Sequence, residues 1–121
     1  MTEFSDLEGK TLSSIHVDRG NHEDEIRFVT EDGDTYRMHH YQDCCESVDI
    51  EDINGDLDDL VGTKIVSAVE AISESDSRYG HETYTFYHLR TVKGDVTIRW
   101  HGESNGYYSE RVDFEKLKGD Q

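Results

Sequence analysis

Two segments of this sequence combine the kinds of side chain that line small-molecule pockets. They cover residues 41–46 and 102–110, and both bring amides, hydroxyls and aromatic rings together, with two adjacent thiols in the first. This mixture is typical of concave binding sites. The residues predicted to line a shared pocket are Gln42, Asp43, Cys44, Cys45, Arg99, Trp100, Asn105, Tyr107 and Tyr108.

A planar, negatively charged molecule is the ligand that such a pocket would suit. A base can stack on an aromatic ring, and Arg99 can hold a phosphate through paired hydrogen bonds. One hypothesis is therefore that the protein sequesters a small nucleotide-like ligand. The alternative leaves no pocket, because Asn105-Gly106 can simply form a hairpin turn with one of the two following tyrosines buried.

The acidic residues favour a different partner, a protein. The chain of 121 residues carries 28 acidic and 12 basic residues, a formal net charge of −16. Such a charge repels nucleic acid and anionic membranes and attracts basic surfaces. The carboxylates can imitate the phosphates that a nucleic-acid-binding protein recognises, or serve solubility alone. The predicted partner-binding patch consists of Asp49, Glu51, Asp52, Asp56, Asp58 and Asp59.

The cysteines and histidines do not indicate catalysis or a metal site. A nucleophilic enzyme needs Cys or Ser beside a His and an orienting acid, and no hydrolase motif accompanies Cys44 or Cys45. The adjacent His39 and His40 lack the spacing of zinc ligands. We therefore predict no enzyme, no catalytic residue, no metal and no cofactor. The two cysteines are expected to remain reduced, because neighbouring strand residues point to opposite faces.

Strands are the elements that must position these residues. Alternating apolar and polar residues predict a mainly β fold (α+β minor) of about eight strands with one or two short helical turns. The predicted strands are residues 11–17, 25–30, 36–40, 47–53, 64–72, 84–91, 96–100 and 107–114, and the turns are 2–7 and 56–61. A helix remains an alternative at 64–72, because its apolar residues also share one helix face.

An internal repeat organises the predicted strands. Three pairs of segments match in the same order along the chain: 6–12 with 59–65, 33–34 with 94–95, and 48–53 with 112–117. The matches predict a single domain over 1–121, with repeats at about 6–53 and 59–117 and a mobile loop at about 73–82. Two pseudo-symmetric halves could bring the two polar segments together. Chance similarity between short strands is the other explanation.

The remaining sequence features concern location and assembly. No apolar run approaches the ~18 residues of a membrane helix, and the first residues do not resemble a signal peptide. We therefore expect a cytoplasmic protein that contacts neither membrane nor nucleic acid directly. A homo-oligomer stays open, because a small β protein must protect its sheet edges.

Several motifs resemble those of an uncharacterised family of small bacteriophage proteins. The most specific are Gln42-Asp43-Cys44-Cys45-Glu46 and Ser104-Asn105-Gly106-Tyr107-Tyr108-Ser109. The resemblance spans about residues 7–114 and implies a phage accessory protein in the host cytoplasm, with no activity to carry over. The leading hypothesis is therefore an anti-defence protein that binds and inhibits a host factor. It would act by acidic nucleic-acid mimicry, and the nucleotide-sequestering pocket is its alternative.

Overall fold

The computed structural model describes residues 2–20, 23–42, 44–77, 80–106 and 108–117. Within them the chain forms eight strands and two short 3-10 helices, which confirms the predicted mainly β fold. The elements in order are η1 (Phe4–Leu7), β1 (Leu12–Asp18), β2 (Glu25–Thr30), β3 (Thr35–His39), β4 (Ser47–Asn54), η2 (Leu57–Leu60), β5 (Ser67–Ser77), β6 (Gly80–Thr91), β7 (Gly94–Ser104) and β8 (Asp113–Leu117). None of the described helices is long and apolar enough to cross a membrane.

The strands form two antiparallel sheets of four strands each. The first sheet has the order β1-β2-β3-β8, and the second has the order β4-β7-β6-β5. Each sheet takes three consecutive strands from one half of the chain and its fourth strand from the other half. Because β8 pairs with β3 and β4 pairs with β7, neither sheet can be completed without both halves.

Backbone hydrogen bonds between the two halves are reciprocal. The N–H of Gly9 donates to the carbonyl of Ile65 over 2.8 Å, and the N–H of Gly62 donates to the carbonyl of Leu12 over 2.9 Å. A shift of 53 residues converts Gly9 into Gly62 and Leu12 into Ile65, so each bond is the counterpart of the other. Such reciprocity is what a twofold relation between two halves produces.

The core lies between the two sheets. Trp100 on β7 is 1% exposed, and its indole N–H donates to the sulfur of Met38 on β3 over 3.2 Å. Phe4 of η1 packs against Tyr87 of the second sheet and Phe114 of the first, with ring centroids 4.6 and 5.4 Å apart. Both sheets therefore contribute to one core, and η1 packs against residues of each.

Three predicted elements differ from the structure. Residues 67–77 form a strand, so the helix alternative for 64–72 is wrong there. Of the segment predicted as a mobile loop, 73–82, residues 73–77 belong to β5 and residues 80–82 to β6, with Ser73 paired to Tyr84 and Asp76 to His81, while residues 78 and 79 lie outside the described residues. The segment's Ser- and Glu-rich composition resembles a loop, but the partner strand supplies a complete ladder of hydrogen bonds. The predicted strand at 107–114 begins only at 113, and Tyr107 lies outside the described residues.

Candidate functional site

The two polar segments predicted to share a pocket lie side by side. Cys45 from the first segment and Ser104 and Asn105 from the second line one open cleft of about 500 Å³. Strand pairing explains the meeting, because β4 begins directly after the first segment and β7 ends in the second. Ser47 and Glu103 are paired where these strands meet.

Arg99 and Trp100 do not belong to this cleft. Successive residues of β7 point to opposite faces of the sheet, so Trp100 lies in the core while Arg99 points outward. The Nε of Arg99 is 2.6 Å from Oε1 of Glu51. Among the described residues the cleft is lined by no guanidinium but by two carboxylates, Glu82 and Glu103. It therefore lacks the groups that the sequence assigned to base stacking and phosphate binding.

The cysteine segment is held by its own contacts. Cys44 and Cys45 are joined to each other in a disulfide, so the expectation of reduced thiols is wrong. The side-chain amide of Gln42 donates to the carbonyl of Glu46 over 2.6 Å, and the N–H of Cys44 donates to Oε1 of Glu46 over 2.9 Å. Gln42 and Cys44 thus have structural contacts, while Asp43 lies outside the described residues.

A buried histidine–carboxylate pair connects the two segments. Nε2 of His40 is 2.8 Å from Oε2 of the buried Glu46, and its Nδ1 is 2.7 Å from the carbonyl oxygen of Arg111. The imidazole therefore bridges the connection between β3 and β4 and the connection between β7 and β8. No motif in the sequence predicts this bridge, because His40 and Arg111 are 71 residues apart.

Glu110 is the second buried carboxylate at this end of the sandwich. Its side chain is 3% exposed, and it accepts hydrogen bonds from Nδ1 of His81 at 2.8 Å, from the hydroxyl of Thr83 at 2.7 Å and from the hydroxyl of Ser104. Burial raises the pKa of Glu110, but the hydrogen bonds from Ser104, Thr83 and His81 outweigh it and hold the pKa below its ordinary value. The hydrogen bond to Glu110 in turn raises the pKa of His81.

An acidic groove of about 450 Å³ opens between β5 and β6 on one side and Gly106 with residues 108–112 on the other. We call it the β5 groove. The charged side chains that line it are Glu70, Glu74, Asp76, Glu110, His81 and Arg111. Tyr108, which was predicted to line the ligand pocket, lies along this groove. Since carboxylates outnumber cations here, the groove favours positively charged ligands.

The alternation of acids along β5 was a signal that sequence analysis missed. Glu70, Glu74 and Asp76 are separated by even numbers of residues, so a strand presents all three on one face. Assigning 73–82 to a loop hid this pattern. His81 lies beside two of the acids, with its Nε2 3.4 Å from Oε1 of Glu74 and 3.9 Å from Oδ1 of Asp76.

The predicted acidic patch is divided between β4 and η2. Asp49, Glu51 and Asp52 are exposed on β4, where Glu51 pairs with Arg99 as described above. The other three acids, at 56, 58 and 59, belong to the 3-10 turn. There Asp56 has a structural role, because its Oδ1 accepts the N–H of Asp58 over 3.0 Å as an N-terminal cap.

The outer edge of β4 is closed by side chains of the β1–β2 connection. Asp24 accepts the backbone N–H of Ile50 over 2.8 Å, and Arg19 donates to the carbonyl of Ile50 over 3.0 Å. Burial and the nearby carboxylate of Asp24 raise the pKa of Asp49. The patch on β4 is therefore exposed through its side chains, while part of its backbone edge is already occupied.

Comparison with known proteins identifies one matching family. A family model described as a domain of unknown function (DUF7448) matches residues 5–114. No curated protein and no solved structure matches the chain. The described residues contain no group of three or more His, Cys, Asp or Glu side chains arranged to hold a metal ion.

Proposed function

We propose that this chain, which belongs to a family of domains of unknown function (DUF7448), binds a basic partner protein through its carboxylates. The observation that carries the proposal is the placement of acids on both edge strands of the second sheet. On β4 these acids are Asp49, Glu51 and Asp52. On β5 they are Glu70, Glu74 and Asp76. The chain's net charge of −16 acts in the same direction.

Spacing along a strand makes these carboxylates act together. Residues two apart on a strand, such as Asp49 and Glu51 or Glu74 and Asp76, are separated by about 6.6 Å, which is less than the Debye length of about 8 Å at physiological ionic strength. A basic surface that approaches an edge therefore meets several negative charges at once. Nucleic-acid-binding proteins carry Lys and Arg side chains for the closely spaced phosphates of their ligand, so they are the partner class that these edges fit.

The proposed biological setting is a host cell infected by a phage. A phage accessory protein that occupies the nucleic-acid-binding surface of a host factor would inhibit that factor in the host cytoplasm, as an anti-defence protein does. The resemblance of the Gln-Asp-Cys-Cys-Glu and Ser-Asn-Gly-Tyr-Tyr-Ser motifs to phage sequences supports this part, together with the net charge.

Sequestration of a small ligand is the second candidate. It is supported by the cleft in which Cys45 meets Ser104 and Asn105. The lining carboxylates Glu82 and Glu103 oppose a nucleotide, whose phosphates they would repel. If this cleft holds a small molecule, its two carboxylates outnumber the one histidine of its walls, His81, and favour a cation.

Capture from host lysate with stepwise salt elution tests the leading proposal. The expected partner is a nucleic-acid-binding protein that elutes as salt rises and that DNA or RNA displaces from the column. Two variants with the same loss of charge extend the test, D49N/E51Q/D52N on β4 and E70Q/E74Q/D76N on β5. If the partner stays bound at high salt and in the presence of nucleic acid, and binds both variants as well as the unchanged chain, the carboxylates do not mediate binding.

A further inference from the structure

We infer that β5 is the docking strand of this protein. An extended segment of the partner, with basic residues at alternate positions, adds to the outer edge of β5 as a fifth strand and places its basic side chains in the β5 groove. The inference rests on the proposed function and specifies its mode of binding.

The outer edge of β5 offers the backbone groups that strand addition requires. β5 has eleven residues and is the last strand of the second sheet, and in the part of the chain described no strand pairs with its outer side. The N–H of Ala68 points away from β6, because it donates to Oε2 of Glu8 over 3.0 Å. Alternation along the strand directs the N–H groups of Glu70, Ile72 and Glu74 to the same side. A long edge of this kind is a template for another strand.

The other edge of the same sheet is protected, which singles out β5. Asp24 and Arg19 hydrogen-bond to both backbone groups of Ile50 on β4 and so take the place of a neighbouring strand. On β5 the side chain of Glu8 occupies the N–H of Ala68, and η1 packs against the strand. No described side chain hydrogen-bonds to the backbone of residues 70–76.

The acids of β5 face the groove rather than the outer surface of the sheet. Directly paired residues of antiparallel strands share a face, and Glu70, Glu74 and Asp76 pair with Tyr87, Thr83 and His81. Tyr87 and Thr83 point inward, since both are buried. The side chains of Glu74 and Asp76 are nevertheless 62% and 90% exposed, so both are accessible to a bound segment.

Charge decides what kind of strand can occupy this edge. In an antiparallel pair of two β5 strands centred on Ser73, Glu70 of one copy would oppose Asp76 of the other, and Ile72 would oppose Glu74. Like charges directly opposite each other destabilise a strand pair, whereas Lys or Arg opposite these acids stabilises it. In this register a basic segment is therefore favoured over a second copy of this chain.

The outer face of β5 sets the residues between the basic positions. Val69 is 49% exposed and shares that face with Ala71. A partner strand that follows the same alternation places every second side chain beside these two residues, where a β-branched residue packs well. The recognised pattern is thus basic and β-branched residues in alternation.

Binding of two synthetic peptides to the full chain tests the inference. One peptide alternates Lys and Val over eight residues, and the other has the same composition with its lysines in one block. We expect the alternating peptide to bind at least about tenfold more tightly by fluorescence anisotropy at low salt. In the E70Q/E74Q/D76N variant its Kd should rise about tenfold, and in the charge-matched D49N/E51Q/D52N variant it should change less than about threefold.

Hydrogen exchange distinguishes strand addition from simple charge attraction. Bound alternating peptide should slow exchange of the amides of Glu70, Ile72 and Glu74, and methylation of the peptide nitrogens that face β5 should abolish binding. Equal binding of the two peptides, or unchanged exchange at these amides, overturns strand addition while leaving the proposed function in place. A host partner that is lost only in the β4 variant likewise overturns the inference alone. The proposed function itself fails if both variants retain the partner at every salt concentration.

Discussion

At the scale of single residues, Glu110 determines the wall of the β5 groove. It joins the segment before β8 to Ser104 on β7 and to His81 and Thr83 on β6, all through one buried carboxylate. Removing it leaves these donors without their acceptor in a place with little access to water. One side chain therefore connects the stability of this end of the fold to the shape of the groove.

Glu110→Ala should lower the free energy of unfolding by about 2–4 kcal/mol, because the buried hydroxyl of Thr83 and the partly buried Ser104 and His81 lose their acceptor. Urea denaturation measures the change. Glu103→Gln is the control, since Glu103 is an exposed carboxylate at the same end of β7, and its effect should stay within about 0.5 kcal/mol. Equal effects of the two variants would contradict a structural role for Glu110.

The contact between His81 and Glu110 predicts a pH dependence. The pKa of His81 is raised in the folded protein, so its contribution to stability is present below the unfolded value of about 6.5 and is lost as pH rises through the folded value. The pKa of Glu110 is lowered, so its contribution is present above its unfolded value and is lost as pH falls. The carboxylates of Glu74 and Asp76 also face His81 and favour its charged form.

His81→Gln should therefore destabilise the protein more at pH 5.5 than at pH 8.5. Urea denaturation of the variant and of the unchanged chain at both pH values gives the two differences. His16→Gln provides the comparison, because His16 lies on the exposed part of β1, away from Glu110. A destabilisation by His81→Gln that is the same at both pH values would show that the charged imidazole is not stabilised in the fold.

Arg99 and Trp100 show why adjacency in sequence misled the pocket prediction. The two residues are neighbours and both suit a nucleotide, yet strand alternation sends one to the core and the other to the surface. Trp100→Ala should cost about 3–5 kcal/mol of unfolding free energy, as large core truncations do. Arg99→Ala should cost less than about 1 kcal/mol, since it loses an exposed ion pair. Denaturation curves that rank the two variants the other way would refute this assignment.

At the scale of elements, alternation of apolar residues predicted the strands of the core well. β2 has the predicted bounds, β3 is shifted by one residue at both ends, and β4 is one residue longer at its end. The predicted strand ended at residue 72, five residues before the end of β5, because Ser, Glu and Asp are common in loops. The pairing of β5 with β6 is a tertiary effect that local composition does not contain. The cleft between the two polar segments could be anticipated from the repeat. The β5 groove could not, because it needs both the longer hairpin and the segment that lies beside it.

Gly102 allows the segment before β8 to approach the second sheet. A Cβ at this position would lie 2.9 Å from Cβ of Glu110 and 3.1 Å from Cγ2 of Val48. Gly102→Ala should therefore displace Glu110 and lower the free energy of unfolding by about 1–3 kcal/mol. It should also weaken binding of the alternating peptide, which anisotropy would detect.

Gly106→Ala is the matching control for this element. Gly106 has φ +97 and open space around the missing Cβ, so its substitution introduces backbone strain without a new contact. We expect a loss of about 1 kcal/mol and a smaller change in peptide affinity. If Gly102→Ala is tolerated without loss of stability, the close packing of the segment against β7 is not required.

At the scale of the whole molecule, exchange of the fourth strands makes the two halves depend on each other. A fragment of residues 1–56 lacks the strand that pairs with β3, and a fragment of residues 57–121 lacks the strand that pairs with β7. Each fragment would also expose the face that the other half covers. The sheets should therefore form only when both halves are present.

The single tryptophan makes this dependence measurable. Trp100 belongs to the second fragment, but its indole N–H donates to Met38 of the first, so its ring leaves water only when the halves join. We expect solvent-exposed tryptophan emission from the fragment 57–121 alone and a shift to shorter wavelength when the fragment 1–56 is added. A Met38→Ala version of fragment 1–56 should give a weaker shift, because it leaves a cavity beside the indole. If the isolated fragment 57–121 already has the emission of the full chain, this half folds independently. The exchanged strands are then not required for its folding.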